Sequence, residues 1–147
     1  MKQTFRNFEF IIIDDASTDG SEKIIHAYED SRIKFVRNTD NQGNYPSRNK
    51  GLKMATGKYI CVMDADDVAY PHRFDVQYRY LENHPDVLAV GTHYDFSIQG
   101  KTMKRNLPLS YEDVQIALLS DNHFLHSSLM VRTEAMRKIG GYDEKYV

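Results

Sequence analysis

The 147-residue chain has one cysteine, no long run of one charge sign, no internal repeat or low-complexity tract, and no apolar stretch long enough to cross a bilayer. Each absence excludes a class of protein. A single cysteine cannot form an internal disulfide; Cys61, inside an apolar run, reads as core filler and suits a reducing cytoplasm. A formal net charge of −2, spread without a basic patch, argues against nucleic acid as a partner. The longest apolar stretches, such as Phe10 to Ile13 and Tyr59 to Met63, fall far below the roughly 20 residues of a membrane span. The start, Met1-Lys2-Gln3-Thr4, leads into polar and aromatic residues and does not read as a signal peptide. With 41% apolar and 27% charged residues, the chain has the size and balance of a single globular domain, 1–147, with one core.

What is present is an alternation of apolar runs and helical patterns. Phe8-Glu9-Phe10-Ile11-Ile12-Ile13 becomes continuously apolar and β-branched after Glu9, which predicts a strand buried on both faces and stopped by Asp14-Asp15. Ser17 to Ser21 offers N-caps for a helix over Glu22 to Asp30, with Ile24, Ile25 and Tyr28 on one face. Ile33 to Val36 predicts a second strand, followed by a loop from Asn38 to Tyr45 and a helix ending near Gly57. Tyr59 to Met63 predicts a third strand, again stopped by acids, Asp64-Ala65-Asp66-Asp67, with Pro71 in the first turn of the next helix. Strands at Val87 to Thr92 and Ser127 to Val131 and a hairpin around Gly100 follow. Ser110 is expected to cap a helix through Leu119, and Thr133 to cap one ending at Gly140-Gly141. The order implies an α/β fold with a mixed, mostly parallel sheet flanked by helices.

In open α/β sheets ligands bind beyond the carboxyl ends of the strands, where this chain carries both acidic clusters. Asp64, Asp66 and Asp67 repel one another unless a cation or hydrogen-bond donors compensate them. Hard divalent ions such as Mg²⁺ or Mn²⁺ take one or two carboxylates together with substrate phosphates, so this turn can hold a metal that also grips a diphosphate. Capping acids in a solvated turn are the plainer alternative for this cluster, and equally for Asp14 and Asp15.

The run Gln3 to Ser21, with Asp14-Asp15-Ala16-Ser17-Thr18-Asp19-Gly20-Ser21 at its end, resembles the segment of family-2 glycosyltransferases that leads into their Asp-Asp-Gly-Ser-Thr-Asp motif; Ala16 stands where the family usually has Gly. Asn41-Gln42-Gly43, Ser47-Arg48-Asn49-Lys50-Gly51, Ala55-Thr56-Gly57-Lys58-Tyr59-Ile60, Asp64-Ala65-Asp66-Asp67, Pro71-His72-Arg73-Phe74, His126 to Arg132 and Gly140 to Glu144 follow in family order. The resemblance implies a Rossmann-like, inverting GT-A fold. It also implies sugar transfer from a nucleotide-diphospho-sugar, a UDP-sugar first, to a glycan or lipid-linked acceptor hydroxyl, in glycan or cell-envelope polysaccharide synthesis. Asp15, with Asp14, then contacts the base. Arg48 reaches the nucleotide or its phosphates, and Asp64, Ala65 and Asp66 contact the donor. Asp64, Asp66 and Asp67 hold Mn²⁺ or Mg²⁺; His126 is a candidate for the acceptor side, with a satisfied structural histidine as the plainer alternative.

The family's first strand precedes the segment resembling Gln3-Thr4-Phe5, and its general base lies in an acidic motif expected beyond Val147. The chain is therefore expected to be trimmed at both ends, to expose sheet edges that favour self-association, and to lack the catalytic base. A cytoplasmic location at the inner membrane face, with peripheral association, is compatible with this reading. Two rivals stand beside it. One is a domain that binds a nucleotide sugar without turnover. The other is a receiver-like signalling domain, which needs a Lys after a late strand; neither Val87 to Thr92 nor Ser127 to Val131 is followed by a convincing one.

Overall fold

The β-branched run forms a strand where expected. In the computed structural model, which describes residues 2–98, 100–108, 110–119 and 124–145, β1 covers Phe10–Asp14. The chain divides into two compact units, residues 6–60 with 132–147 and residues 1–5 with 61–131.

In the first of these units, β1 pairs in parallel with β2 (Ile33–Arg37), Ile12 opposite Phe35 and Asp14 opposite Arg37. A parallel pair needs a crossover, and α1 (Ser21–His26) supplies it. This helix is shorter than its sequence pattern suggests. Gly20 holds the N-cap position at φ 87°, while Asp19 accepts from the Ser21 amide at 3.0 Å and its hydroxyl at 2.6 Å. Ile24 and Tyr28, expected on a core face, are 65% and 59% exposed. A two-stranded sheet is too narrow to cover them. For the same reason Phe10 to Ile13 are half-buried and not enclosed on both faces, since β1 has β2 as its one strand partner among the described residues.

Glu9, just before β1, ties three segments together through Lys34 Nζ at 2.6 Å and the amides of Thr56 at 2.6 Å and Gly57 at 3.2 Å. Partial burial pushes its carboxyl up, but the bonds from Lys34 and Thr56 outweigh this and lower its pKa to about 2. Helix α2 (Asn44–Met54) starts after Gly43 at φ 89° and lays Gly51 against Ile13, where a Cβ would lie 3.8 Å from Ile13 Cγ1.

The chain then enters β3 (Tyr59–Cys61). The last helix of the chain, Thr133–Lys138, begins with Thr133 inside it, and Arg132 holds the N-cap position. The Thr133 hydroxyl donates to Gly57 O at 2.7 Å and does not cap. Gly141, at φ 81°, meets two demands for glycine: the left-handed backbone, and the Asn49 Oδ1 atom that a Cβ would approach to 2.5 Å.

The second unit is organised by α3 (Arg73–Asn83), whose Gln77 and Leu81, one turn apart, are its buried residues. Pro71 lies in the turn before the helix, and His72 offers no side-chain cap. The cap comes from far away in sequence. Gln3 Oε1 accepts the Phe74 amide at 3.1 Å while its Nε2 donates to Tyr70 O at 2.8 Å. Cys61 is partly buried as expected, and burial raises its thiol pKa to about 11.

Strand β4 is only Ala89–Val90, and β5 (Tyr94–Ile98) and β6 (Lys101–Arg105) form the expected hairpin around Gly100, Phe96 opposite Met103. Helix α4 (Tyr111–Leu118) is capped by Ser110, whose hydroxyl accepts the Asp113 amide at 3.0 Å. Ser110→Ala is expected to cost about 1 kcal/mol, read as a lower urea midpoint at unchanged slope. An unchanged midpoint would mean that the cap carries nothing.

The predicted strand at Ser127 to Val131 starts late. His126–Ser128 form a 3-10 turn, and β7 runs over Met130–Arg132. Ser128 explains the delay, because its hydroxyl donates back to Leu125 O at 2.8 Å, a local bond that favours a turn. Strand β4 pairs antiparallel with β7, Val90 opposite Met130, in a sheet of order β3-β7-β4. The fold is thus mixed α/β, and the last helix, Thr133–Lys138, is α5.

Candidate functional site

Asp14 and Asp15 sit at the carboxyl end of β1 and do different things. Asp14 is buried and accepts the Ser17 amide at 2.9 Å, with Arg37 Nη1 at 3.6 Å. Hydrogen bonds from Ser17 hold its carboxyl below the usual range, with burial opposing and Arg37 assisting. The bond to Ser17 closes the turn that follows β1.

Asp15 faces the loop after β2. Its Oδ1 accepts Asn38 Nδ2 at 2.7 Å and the Gln42 amide at 3.0 Å; its Oδ2 accepts the Gly43 amide at 2.8 Å. Burial acts to raise its pKa, but these donors and the Ser47 hydroxyl outweigh it and lower the value. The result is an anionic, acceptor-only group. A carboxylate offers about four lone-pair sites, so the chain's own donors nominally fill it. Ser47 is the donor most easily turned away, since a hydroxyl rotates about its Cβ–Oγ bond.

Two neighbours complete this end of the unit. Arg48 lies over the Tyr142 ring at 5.8 Å, and Tyr45 stacks on the same ring at 5.8 Å. Buried Asn49 pins the 141–144 segment, donating to Tyr142 O at 2.8 Å and Glu144 Oε1 at 2.9 Å and accepting the Tyr142 amide at 2.8 Å. Sequence reading singled out Arg48 and passed over Asn38, Ser47, Asn49, Lys50 and Tyr142 as individual contributors. Asn38 could have been found from one signal: with Asp14 opposite Arg37 in a parallel pair, the next residues, Asp15 and Asn38, fall side by side.

The acidic turn belongs to the other unit. It follows β3 at its carboxyl end, and the Asp67 amide donates to Asp64 O at 3.2 Å. Ala65, Asp66 and Asp67 are exposed, and Asp64 is half-buried. No group of three or more His, Cys, Asp or Glu side chains is gathered for one ion among the described residues. The donor chemistry nonetheless fits a hard cation. Carboxylate oxygens on a solvent-facing turn suit Mg²⁺ or Mn²⁺, which keep water or substrate oxygens in the remaining positions and need no all-protein cage. His126 is half-buried in its 3-10 turn, where its carbonyl accepts the Leu129 amide at 3.1 Å. His123 lies outside the described residues.

A cleft of about 580 Å³ is lined by Asn49, Leu52, Arg137 and residues 139–144. It contains neither acidic cluster. Among the described residues no helix is long and apolar enough to cross a membrane.

Known proteins are similar to this chain in sequence or in fold. An uncharacterized glycosyltransferase of Methanocaldococcus jannaschii is 36% identical over 151 residues, covering 99% of this chain and 52% of that protein. S. aureus TarS 1-349 in complex with UDP superposes with a TM-score of 0.70 at 20% identity, covering 98% of this chain and 44% of that one. The mannosyltransferase PcManGT from Pyrobaculum calidifontis, in complex with GDP-Man and Mn²⁺, gives a TM-score of 0.68 at 21% identity, covering 97% and 41%. The fold is that of GT-A glycosyltransferases. The chain spans about half the length of the M. jannaschii relative. The family description "Glycosyl transferase family 2" matches residues 1–140, which sets aside the receiver-like reading, and the chain belongs to that family.

Proposed function

We propose that this chain is the donor-binding part of an inverting glycosyltransferase that moves a sugar from a nucleotide-diphospho-sugar, a UDP-sugar first, to a glycan or lipid-linked acceptor hydroxyl. The observation that carries the reading is the state of Asp15: an ionised, acceptor-only carboxylate at a strand's carboxyl end, held by loop amides and by Asn38. Such a group suits a base that presents an N–H, as uracil does, and rotation of the Ser47 hydroxyl makes room for it. Asp14 shapes the turn behind. Arg48, on the ring of Tyr142, is assigned to the nucleotide phosphates, which its planar guanidinium fits.

The turn Asp64-Ala65-Asp66 is assigned to the donor and, with Asp67, to Mn²⁺ or Mg²⁺. When bound, the ion supplies charge stabilisation for the departing nucleoside diphosphate. The chain's own contribution is to place carboxylates on a turn that a diphosphate and ion can approach from solvent. His126 is assigned to the acceptor side. The setting is assigned to cytoplasmic glycan assembly.

A binding domain without turnover shares all of these features except transfer. The two are separated by acceptor-dependent release of nucleoside diphosphate from the parent protein. The donor-side reading is tested on this chain by calorimetry with UDP, with and without Mn²⁺. Chelation is expected to weaken UDP binding, and so is Asp66→Asn combined with Asp67→Asn, by roughly tenfold or more for the loss of charge-assisted contacts. Metal-dependent UDP affinity that survives both substitutions would place the ion elsewhere.

A further inference from the structure

We infer that Asn38 is the positioning residue of the nucleotide-base site, locked in one orientation by Lys50 so that Asp15 is presented as a fixed acceptor. The inference rests on the reading of Asp15 given above and goes beyond it by adding two residues that need not touch the ligand. Asn38 is 3% exposed, directly after β2, and every polar atom of its side chain is engaged. Lys50 Nζ donates to its Oδ1 at 2.7 Å, while its Nδ2 donates to Asp15 Oδ1 at 2.7 Å and to Ser47 Oγ at 3.1 Å. Its own amide donates to Asp14 O at 2.8 Å, which anchors the side chain to the β1 terminus.

The direction of this chain of bonds follows from chemistry. An ammonium group has donors only, so the Asn38 atom facing Lys50 is the oxygen, and the atom facing Asp15 is therefore the nitrogen. A carboxylate has acceptors only, so the same orientation satisfies both ends at once. Rotating the amide by half a turn would set oxygen against the Asp15 carboxylate and N–H groups against the Lys50 ammonium. The Lys50 charge therefore acts on Asp15 through Asn38. With Gly43 on Oδ2 and Gln42 on Oδ1, the carboxylate plane is held at both oxygens before any ligand arrives. Preorganisation of this kind raises affinity by removing an ordering cost from the binding step.

The test is a double-mutant cycle on this chain, with UDP and inorganic pyrophosphate as ligands and Mn²⁺ present. Asn38→Ala is expected to weaken UDP binding by roughly tenfold and to leave pyrophosphate binding within twofold. In an Asp15→Ala background the same substitution is expected to have no further effect on UDP, because the group that it positions is gone. A general loosening of the fold would give losses that persist there and extend to pyrophosphate. Lys50→Met, which removes the lock and leaves Asn38 in place, is expected to show a smaller loss with the same dependence on Asp15; it carries the test if Asn38→Ala does not fold. Additive losses, or UDP affinity unmoved by the Asn38 and Lys50 substitutions while Asp15→Ala weakens it, would overturn the inference. UDP affinity unmoved by Asp15→Ala would instead overturn the base-site reading beneath it.

Discussion

Replacing Gln77 with alanine is expected to destabilise the protein by about 3–5 kcal/mol. Gln77 is 1% exposed, and each end of its amide serves a different part of the unit. Its Nε2 donates to Val90 O and Ser128 O, both at 2.9 Å, and its Oε1 accepts Arg73 Nε at 3.1 Å. Truncation leaves the buried Ser128 carbonyl and the part-buried Val90 carbonyl without this donor, at roughly 1–3 kcal/mol each, and removes the side-chain volume of a buried residue. Against a typical total of about 5–15 kcal/mol, that loss brings the chain close to unfolding at ordinary temperature. Urea denaturation measures it. Gln77→Met separates the two parts, since it fills the space without the hydrogen bonds and should still lose most of the stability. A cost below about 1 kcal/mol for both variants would mean that water or backbone shifts replace the bonds.

The largest effect on binding is expected at Asp15. Asp15→Ala should weaken UDP by roughly 10- to 100-fold, the range for losing a charge-assisted hydrogen bond, while pyrophosphate affinity stays nearly intact. The reason is positional. Asp15 directly follows β1, whereas the carboxylates assigned to the metal and diphosphate follow β3. The structure adds a complication that sharpens the experiment: Asp15 also holds the amides of Gln42 and Gly43, so its removal frees the start of α2. Asp15→Asn keeps the size of the side chain but sets an NH2 group, a donor, where one carboxylate oxygen accepted from N–H groups. It is therefore expected to lose UDP affinity as well, with a smaller loss of thermal stability than Asp15→Ala because one acceptor oxygen remains. Equal losses for UDP and pyrophosphate would end the division of roles between the two acidic clusters.

How far the sequence reaches depends on the range of the interaction. The β1 strand, the hairpin around Gly100 and the Ser110 cap were all legible, because each depends on neighbours within a few residues: β-branched side chains, a glycine at φ 77°, a hydroxyl three residues from the amide it accepts. Burial was read less well. Ile24 and Tyr28 have helical spacing, but whether such a stripe is covered depends on the width of the sheet beneath it, which no local pattern encodes. Thr133 has the chemistry of a cap, yet its hydroxyl bonds the carbonyl of Gly57, 76 positions away.

By itself, then, the sequence determined the order of α and β elements, the placement of acids at two strand ends and, through the order of its motifs, the family. These follow from short-range periodicity and from residue types whose chemistry is the same wherever they lie. Tertiary structure alone decided which polar side chains hold the fold and orient the candidate site. Gln3 caps a helix 71 residues on, Gln77 joins Val90 to Ser128, and Asn49 pins Tyr142 across 93 positions. Asn and Gln carry a donor and an acceptor on one rigid amide, so each can serve two distant backbone segments at once, and only the folded chain specifies which two.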